Sequence, residues 1–167
     1  TPAEARFDRA VAAEAKWGFR PRLFDLGGHR PPSPLFPYQA GIFGGGGNSA
    51  FLTEHLRSTG GFDPALGAGT PTAGGEDLDA FLRVLTSGGG LAYEPAALVW
   101  HHHATDERAV RRQTFRYGVG LGAYLGKVAL SREHVVPVLV RAPRAVHYLL
   151  SGSSDKNAQK GPDHPRA

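Results

Sequence analysis

Cysteine and methionine are both absent from the 167 residues. Without cysteine the chain can form no disulfide and no thiolate metal site, and the redox compartment is left open. The lack of methionine is more pointed. The chain begins at Thr1 and carries no methionine even in its apolar segments, which leads us to expect a fragment whose upstream part is missing. No secretory leader is visible in residues 1–16, which mix alanine with charge and hold no apolar core segment. Long hydrophobic runs are scarce. The best of them, within "YGVGLGAYLGKVAL", is interrupted by Lys127 and is too short to span a bilayer. No segment repeats at a fixed period.

What is present is a globular composition, 41% hydrophobic and 20% charged, in a chain long enough for one domain with a real core. The 23 glycines and 13 prolines supply many turns. Net charge is +4, and much of the positive charge falls late, in Arg108, Arg111, Arg112, Arg116, Lys127, Arg132, Arg141 and Arg144. Such a basic third suits an anionic partner such as a diphosphate, lipid headgroups or nucleic acid, and it equally suits solvated helix faces.

Periodicity predicts a helix after Gly75, where Leu78, Phe81, Leu82 and Leu85 form one apolar stripe that Gly88–Gly90 end. Residues 3–16 read as an earlier helix, and "GFRPRLFDLGGHRPPSPLFP" as a proline-punctuated loop. "YQAGIF", "NSAFL" and the two halves of "LAYEPAALVW" read as short strands. Thr53 is placed to cap a short helix that Gly60 and Gly61 end. A long helix is predicted from Thr105 or Asp106 to about Leu130, and another over 134–150, bent at Pro137 and Pro143. Alternating strands and helices make the expected class α/β, with fewer strands than a complete doubly wound sheet needs.

Three stretches could carry chemistry. In "TPTAGGEDLDAFLRVL", Glu76, Asp77 and Asp79 crowd onto a helix start. Backbone N–H groups and the helix dipole favour negative charge there and fix its direction, which suits a general base; helix capping and surface charge account for the same residues. His101, His102 and His103 follow an apolar segment ending in Trp100. On a strand His101 and His103 would share a face and could ligate a metal, although a His-x-His pair needs further ligands for a complete site. In "FGGGGNSAF" the glycine spacing is not that of a P-loop. The glycines let the chain pass close to a ligand, with Asn48 offering donor and acceptor, or they form a flexible turn. On the late helix, Arg108, Arg112 and Arg116 form a basic row with Arg111 beside it. Gly118, Gly122 and Gly126 form a small-residue face suited to close packing, or to lying on an anionic membrane surface.

The order "GGGGNSAF", "GGFDPALGAG", "GGEDLDAFLRVL", "LAYEPAALVWHHH" resembles the second half of family 2 glycosyltransferases of the GT-A fold, over roughly Leu35 to Leu125. The resemblance implies a partial GT-A, Rossmann-like domain with C-terminal helices. Residues 1–130 would be its acceptor-side half, 131–150 a helical extension and 151–167 a polar tail. It implies an inverting transferase in which Asp77 is the general base, supported by Glu76. Gly46, Gly47, Asn48, Asp79, Trp100 and Arg116 would contact donor or acceptor. His101 and His103 would hold a divalent metal, manganese or magnesium. "QTFRY" (Gln113, Arg116, Tyr117) is similar to the Gln-x-x-Arg-Trp motif of processive members, with Tyr in place of Trp, a departure that speaks against processive synthesis. The Asp-x-Asp metal motif of the family is absent, so the chain would lack the nucleotide-binding half and be inactive alone.

The implied partners are a nucleotide-diphosphate sugar and a saccharide or lipid-linked acceptor. The implied location is cytoplasmic, with peripheral contact at the inner face of the plasma membrane. Two other readings compete. A non-catalytic module binding anions or nucleic acid explains the arginines but not the carboxylates, which would repel phosphate, and its aromatics do not interleave with the basic residues. Nucleic acid is therefore not expected as a partner. A histidine-metal hydrolase needs more ligands than the sequence offers.

Overall fold

The computed structural model describes residues 17–39, 42–100 and 106–151. The predicted helix over 3–16, the polar tail beyond Ser151 and the triplet His101–His103 lie outside these residues. The described residues form four α-helices and one two-stranded sheet. Strand β1 (Arg22–Phe24) pairs antiparallel with β2 (Leu91–Tyr93), and Leu23 faces Ala92 in register. The helices are α1 (Thr53–Ser58), α2 (Glu76–Thr86), α3 (Glu107–Leu130) and α4 (Val135–Leu150).

This is a mixed α/β arrangement, mostly helical, and it corrects the expected Rossmann-like sheet: no such sheet is seen among the described residues. Among the described residues, of the predicted strands only the first half of "LAYEPAALVW" forms, as β2, and its partner β1 arises inside the stretch read as a loop; the middle of "YQAGIF" lies outside the described residues. Around "NSAFL", Gly46–Asn48 close a 3₁₀ turn and Ser49 is extended, but no neighbouring strand satisfies its backbone. Phe51 instead stacks on Phe81, with centroids 5.7 Å apart, and meets Phe62 edge-on. Leu98, Val99 and Trp100 are exposed and belong to no ladder. A strand exists only where a partner does.

The core grows from α2. Its stripe buries Ala80, Phe81, Leu82, Val84 and Leu85. On one side a chain of rings runs Trp17–Phe24–Phe43–Phe81, each pair with centroids 5.3–5.9 Å apart, and the Trp17 indole donates to the Ile42 carbonyl at 2.7 Å. On the other side Leu82 packs with Tyr124 and Val128 of α3. Burial pushes the Tyr124 phenol well above its ordinary range, and the Asp79 charge adds to this. The phenol donates to the Tyr38 carbonyl at 3.3 Å.

Helix ends follow local chemistry. Asp106 caps α3 by accepting from the Ala109 amide at 2.7 Å. Thr53 does not cap α1. It is the first helical residue, and the cap position falls on Leu52 with no side-chain bond. Gly60 and Gly61, at φ +95° and +73°, end α1 as expected, returning their amides to the Arg57 and Leu56 carbonyls. In α4 the helix runs unbroken through Pro143. Pro137 sits in the first turn, where a missing N–H removes no intrahelical bond.

The small-residue row of α3 is shifted from the expected one. A Cβ at Gly118, Gly122 or Gly126 would meet nothing within 4 Å. The close contact is at Gly120, where a Cβ would fall 2.7 Å from the Gly74 carbonyl carbon. Gly120 shares a face with buried Tyr124 and Val128. Its partner is the loop before α2 rather than a helix. Among the described residues, no helix is long and apolar enough to cross a membrane.

Candidate functional site

The site is built on the start of α2. Gly75 is its N-cap, at φ +94°, a conformation glycine adopts without a Cβ penalty. A Cβ there would also lie 2.6 Å from the Gly120 carbonyl oxygen. Gly74 and Gly75 are therefore pressed under α3, and this fixes where α2 begins and where its first carboxylates point.

Asp77 occupies the second helical position and is partly buried. Its Oδ2 accepts the Gly46 amide at 2.9 Å, and its Oδ1 accepts the Leu78 amide at 2.9 Å. The first bond joins the "GGGGN" and "GGED" motifs. The approach is tight: a Cβ on Gly46 would sit 2.9 Å from the Asp77 Cβ, while one on Gly47 would meet nothing. On the far side of the same turn, the Asn48 amide donates to the Ala97 carbonyl at 2.6 Å. The 3₁₀ turn is thus clamped between α2 and the loop that follows β2. A carboxylate offers about four acceptor positions, and the two amides occupy two of them. Asp77 is therefore oriented yet retains acceptor capacity toward a hydroxyl.

The other carboxylates diverge. Glu76 turns the opposite way, against buried Gly67, where a Cβ would fall 3.3 Å from the Glu76 carboxyl carbon. Its Oε2 is buried with no hydrogen-bond partner. Asp79 is 3% exposed. Its Oδ2 accepts from Arg83 Nε at 2.8 Å and its Oδ1 pairs with Lys127 Nζ at 2.7 Å. Arg83 also donates to the Thr59 and Gly61 carbonyls, each at 2.5 Å, and Lys127 pairs with Asp63 at 2.7 Å. Asp79 thus holds α1, α2, α3 and the intervening loop together. The hydrogen bond from Lys127 keeps the Asp63 carboxyl below its usual range. For Lys127, burial alone would lower the pKa, but the bonds to Asp63 and Asp79 outweigh it and the ammonium is held above its usual range.

Beside the glycine turn lies a cleft of about 630 Å³. Asn48 is on its rim, Phe51, Phe81 and Val84 form its floor, and His55 and Glu94 border it. The His55 ring nitrogen lies 3.0 Å from Ser87 Oγ. Asp77 is behind the turn and does not line this cleft.

The structure therefore brings together Gly46, Asn48 and Asp77, with Gly47 in the same turn, and separates them from Glu76 and Asp79. Trp100 is 99% exposed. Arg116 is exposed on α3, where Gln113 donates to the Tyr117 hydroxyl at 2.9 Å. His101 and His103 lie outside the described residues. Among the described residues no group of three histidines or carboxylates could hold a metal ion. Asp77 faces backbone amides and Asp79 faces two cations, so these carboxylates do not by themselves fit a divalent cation. Sequence reasoning missed Gly120, the Ala97 carbonyl and Lys127. Gly120 and Lys127 stood in the glycine-rich helix, but only the fold shows which row turns inward. Comparisons with models of protein families, with curated proteins and with solved structures find no match to this chain.

Proposed function

We propose that the chain is the acceptor-side part of an inverting glycosyltransferase, which moves a sugar from a nucleotide-diphosphate donor to an acceptor hydroxyl. The observation that carries this is the Asp77–Gly46 hydrogen bond. It makes one site of two motifs that the resemblance had put in one active centre. In this reading Asp77 takes the proton from the acceptor hydroxyl as that oxygen attacks the anomeric carbon. The bond to the diphosphate breaks on the opposite face, so the configuration inverts. The Gly46–Asn48 turn borders the donor sugar. Glu76 and Asp79 point away from this turn, and Asp79 has a structural part; Trp100 and Arg116, both exposed, stay in the reading as expected donor or acceptor contacts. The reading also includes a divalent cation on the diphosphate, manganese or magnesium, with His101 and His103 as expected ligands; it would offset charge on the leaving group. The work would take place in the cytoplasm.

The test uses the product of the whole reading frame that encodes this chain, offered nucleotide sugars and a saccharide or lipid-linked acceptor. General-base assistance contributes about 10²–10⁴-fold. Asp77→Asn is therefore expected to lose turnover by about that factor while donor binding changes little. Near-normal turnover in Asp77→Asn would remove the base assignment. Tight, salt-sensitive binding of arbitrary DNA with no sugar transfer would favour the anion-binding reading instead.

A further inference from the structure

We infer that the outward face of α4 is a docking surface for an anionic lipid bilayer. The inference is independent of the transferase reading. It moves the expected membrane contact from α3, whose glycine row is bare, to the neighbouring helix.

α4 is turned with its larger aliphatic side chains outward. Its inner face consists of Val135, Pro137, Val138, Arg141, Ala142, Ala145 and Tyr148, all partly buried. Val138 reaches the Leu82–Tyr124–Val128 cluster, and Arg141 lies over the Tyr38 ring, 5.8 Å from its centroid. The larger aliphatics point the other way. Val136, Leu139, Val140, Val146 and Leu150 are 54–80% exposed, and Pro143 is exposed among them. At 100° per residue these six fall within one arc of about 120°. A helix packed only against its own domain would present the reverse arrangement. At the α3–α4 corner Leu130, 87% exposed, extends the apolar surface.

Charge selects the occupant. Exposed Arg144 borders the arc on one side, exposed His147 falls within it, and exposed Arg132 precedes the helix. No acidic residue occurs in α4; Glu133, just ahead of it, is the nearest carboxylate in the chain. An apolar arc with an arginine at its edge, a second arginine just ahead of the helix and no carboxylate within the helix matches a helix lying in the plane of an anionic membrane surface. It matches a second copy less well, because α4 holds no carboxylate to pair with Arg144 of the facing copy. The chain as a whole carries +4, which adds long-range attraction to such a surface.

The experiment is vesicle flotation of the whole chain with phosphatidylcholine vesicles, with and without phosphatidylglycerol. We expect binding to the anionic vesicles, weak binding to the neutral ones, and release by high salt. A basic residue near an anionic surface contributes about 1 kcal/mol, so Arg144→Gln should weaken binding about fivefold. The double variant Leu139→Ser, Leu150→Ser changes only exposed side chains. It should keep the native circular dichroism and lose flotation. Absence of flotation by the folded parent chain would overturn the proposal. So would equal binding to neutral vesicles. A solution dimer that Leu139→Ser, Leu150→Ser dissociates, without vesicle binding by the parent, would assign the face to a second copy instead.

Discussion

Asp77 and Asp79 stand two residues apart on one helix and serve opposite sides of it. Asp77 faces the glycine turn, is partly open, and meets only backbone amides. Asp79 is buried, and both of its oxygens are taken by side-chain cations. The helix rotates by about 100° per residue, so carboxylates crowded in sequence become separated in space. A cation pair consumes the acceptor capacity of a carboxylate, whereas two amides direct it and leave capacity over. The first arrangement binds elements together; the second holds a group ready for a substrate.

The largest effect on stability is expected at Asp79. Removing one member of a buried ion pair strands its partners, and with Lys127 partly exposed the cost of Asp79→Ala should be about 3 kcal/mol. Urea unfolding would measure it. A midpoint unchanged from the parent would break the contrast between the two carboxylates.

The glycine turn comes next. Gly46→Ala must push the turn away from Asp77, because its Cβ would meet the Asp77 Cβ at 2.9 Å. A misplacement of about 1 Å near reacting groups can cost about a hundredfold in rate, so transfer by the whole protein should fall by about that factor in Gly46→Ala. Gly47→Ala, which meets no protein atom, leaves the Asp77 contact in place and should cost transfer less than Gly46→Ala does. Equal losses in the two variants would show that the turn tolerates no side chain anywhere, and that Asp77 does not depend on its contact with Gly46.

The smallest effect is on the pH dependence of stability. The carboxyl of Asp63 is held below its ordinary range. Its contribution is therefore present above the ordinary aspartate pKa and is lost as pH falls through the lowered value. Lys127 is held above its ordinary range, so its contribution is present below the ordinary lysine pKa and is lost as pH rises through the raised value. Stability should be flat between these limits and decline at both. Lys127→Met should flatten both declines; at neutral pH it removes one cation from buried Asp79, so it should also lower the unfolding midpoint, by less than Asp79→Ala because Arg83 remains paired. A decline at acid or alkaline pH as steep in Lys127→Met as in the parent would place its origin elsewhere.

Much of the helical structure was legible in the sequence. The stripe Leu78–Phe81–Leu82–Leu85 placed α2, Asp106 announced α3, and Gly60 and Gly61 marked the end of α1. These are local signals, and helices are local structures. The sheet was not legible, because β1 is three residues long and its partner lies far along the chain. "NSAFL" and "ALVW" have strand composition but, among the described residues, no neighbouring strand to pair with. The packing face of α3 was expected at Gly118, Gly122 and Gly126, but those meet nothing and the inward row is Gly120, Tyr124 and Val128, since only packing decides which side of α3 meets Gly74. Asp77 was legible as a directed carboxylate through its helix position. The separate part of Asp79 was not, because it depends on Lys127 arriving from α3.

The most direct measurement compares Asp77→Asn with Asp79→Asn in one preparation of the whole protein, recording sugar transfer and the unfolding midpoint for each. We predict that Asp77→Asn keeps its midpoint close to that of the parent and loses transfer, whereas Asp79→Asn loses stability and, while folded, retains transfer. The reverse pattern, with Asp77→Asn unfolding early and folded Asp79→Asn inactive, would contradict the assignment of the two carboxylates.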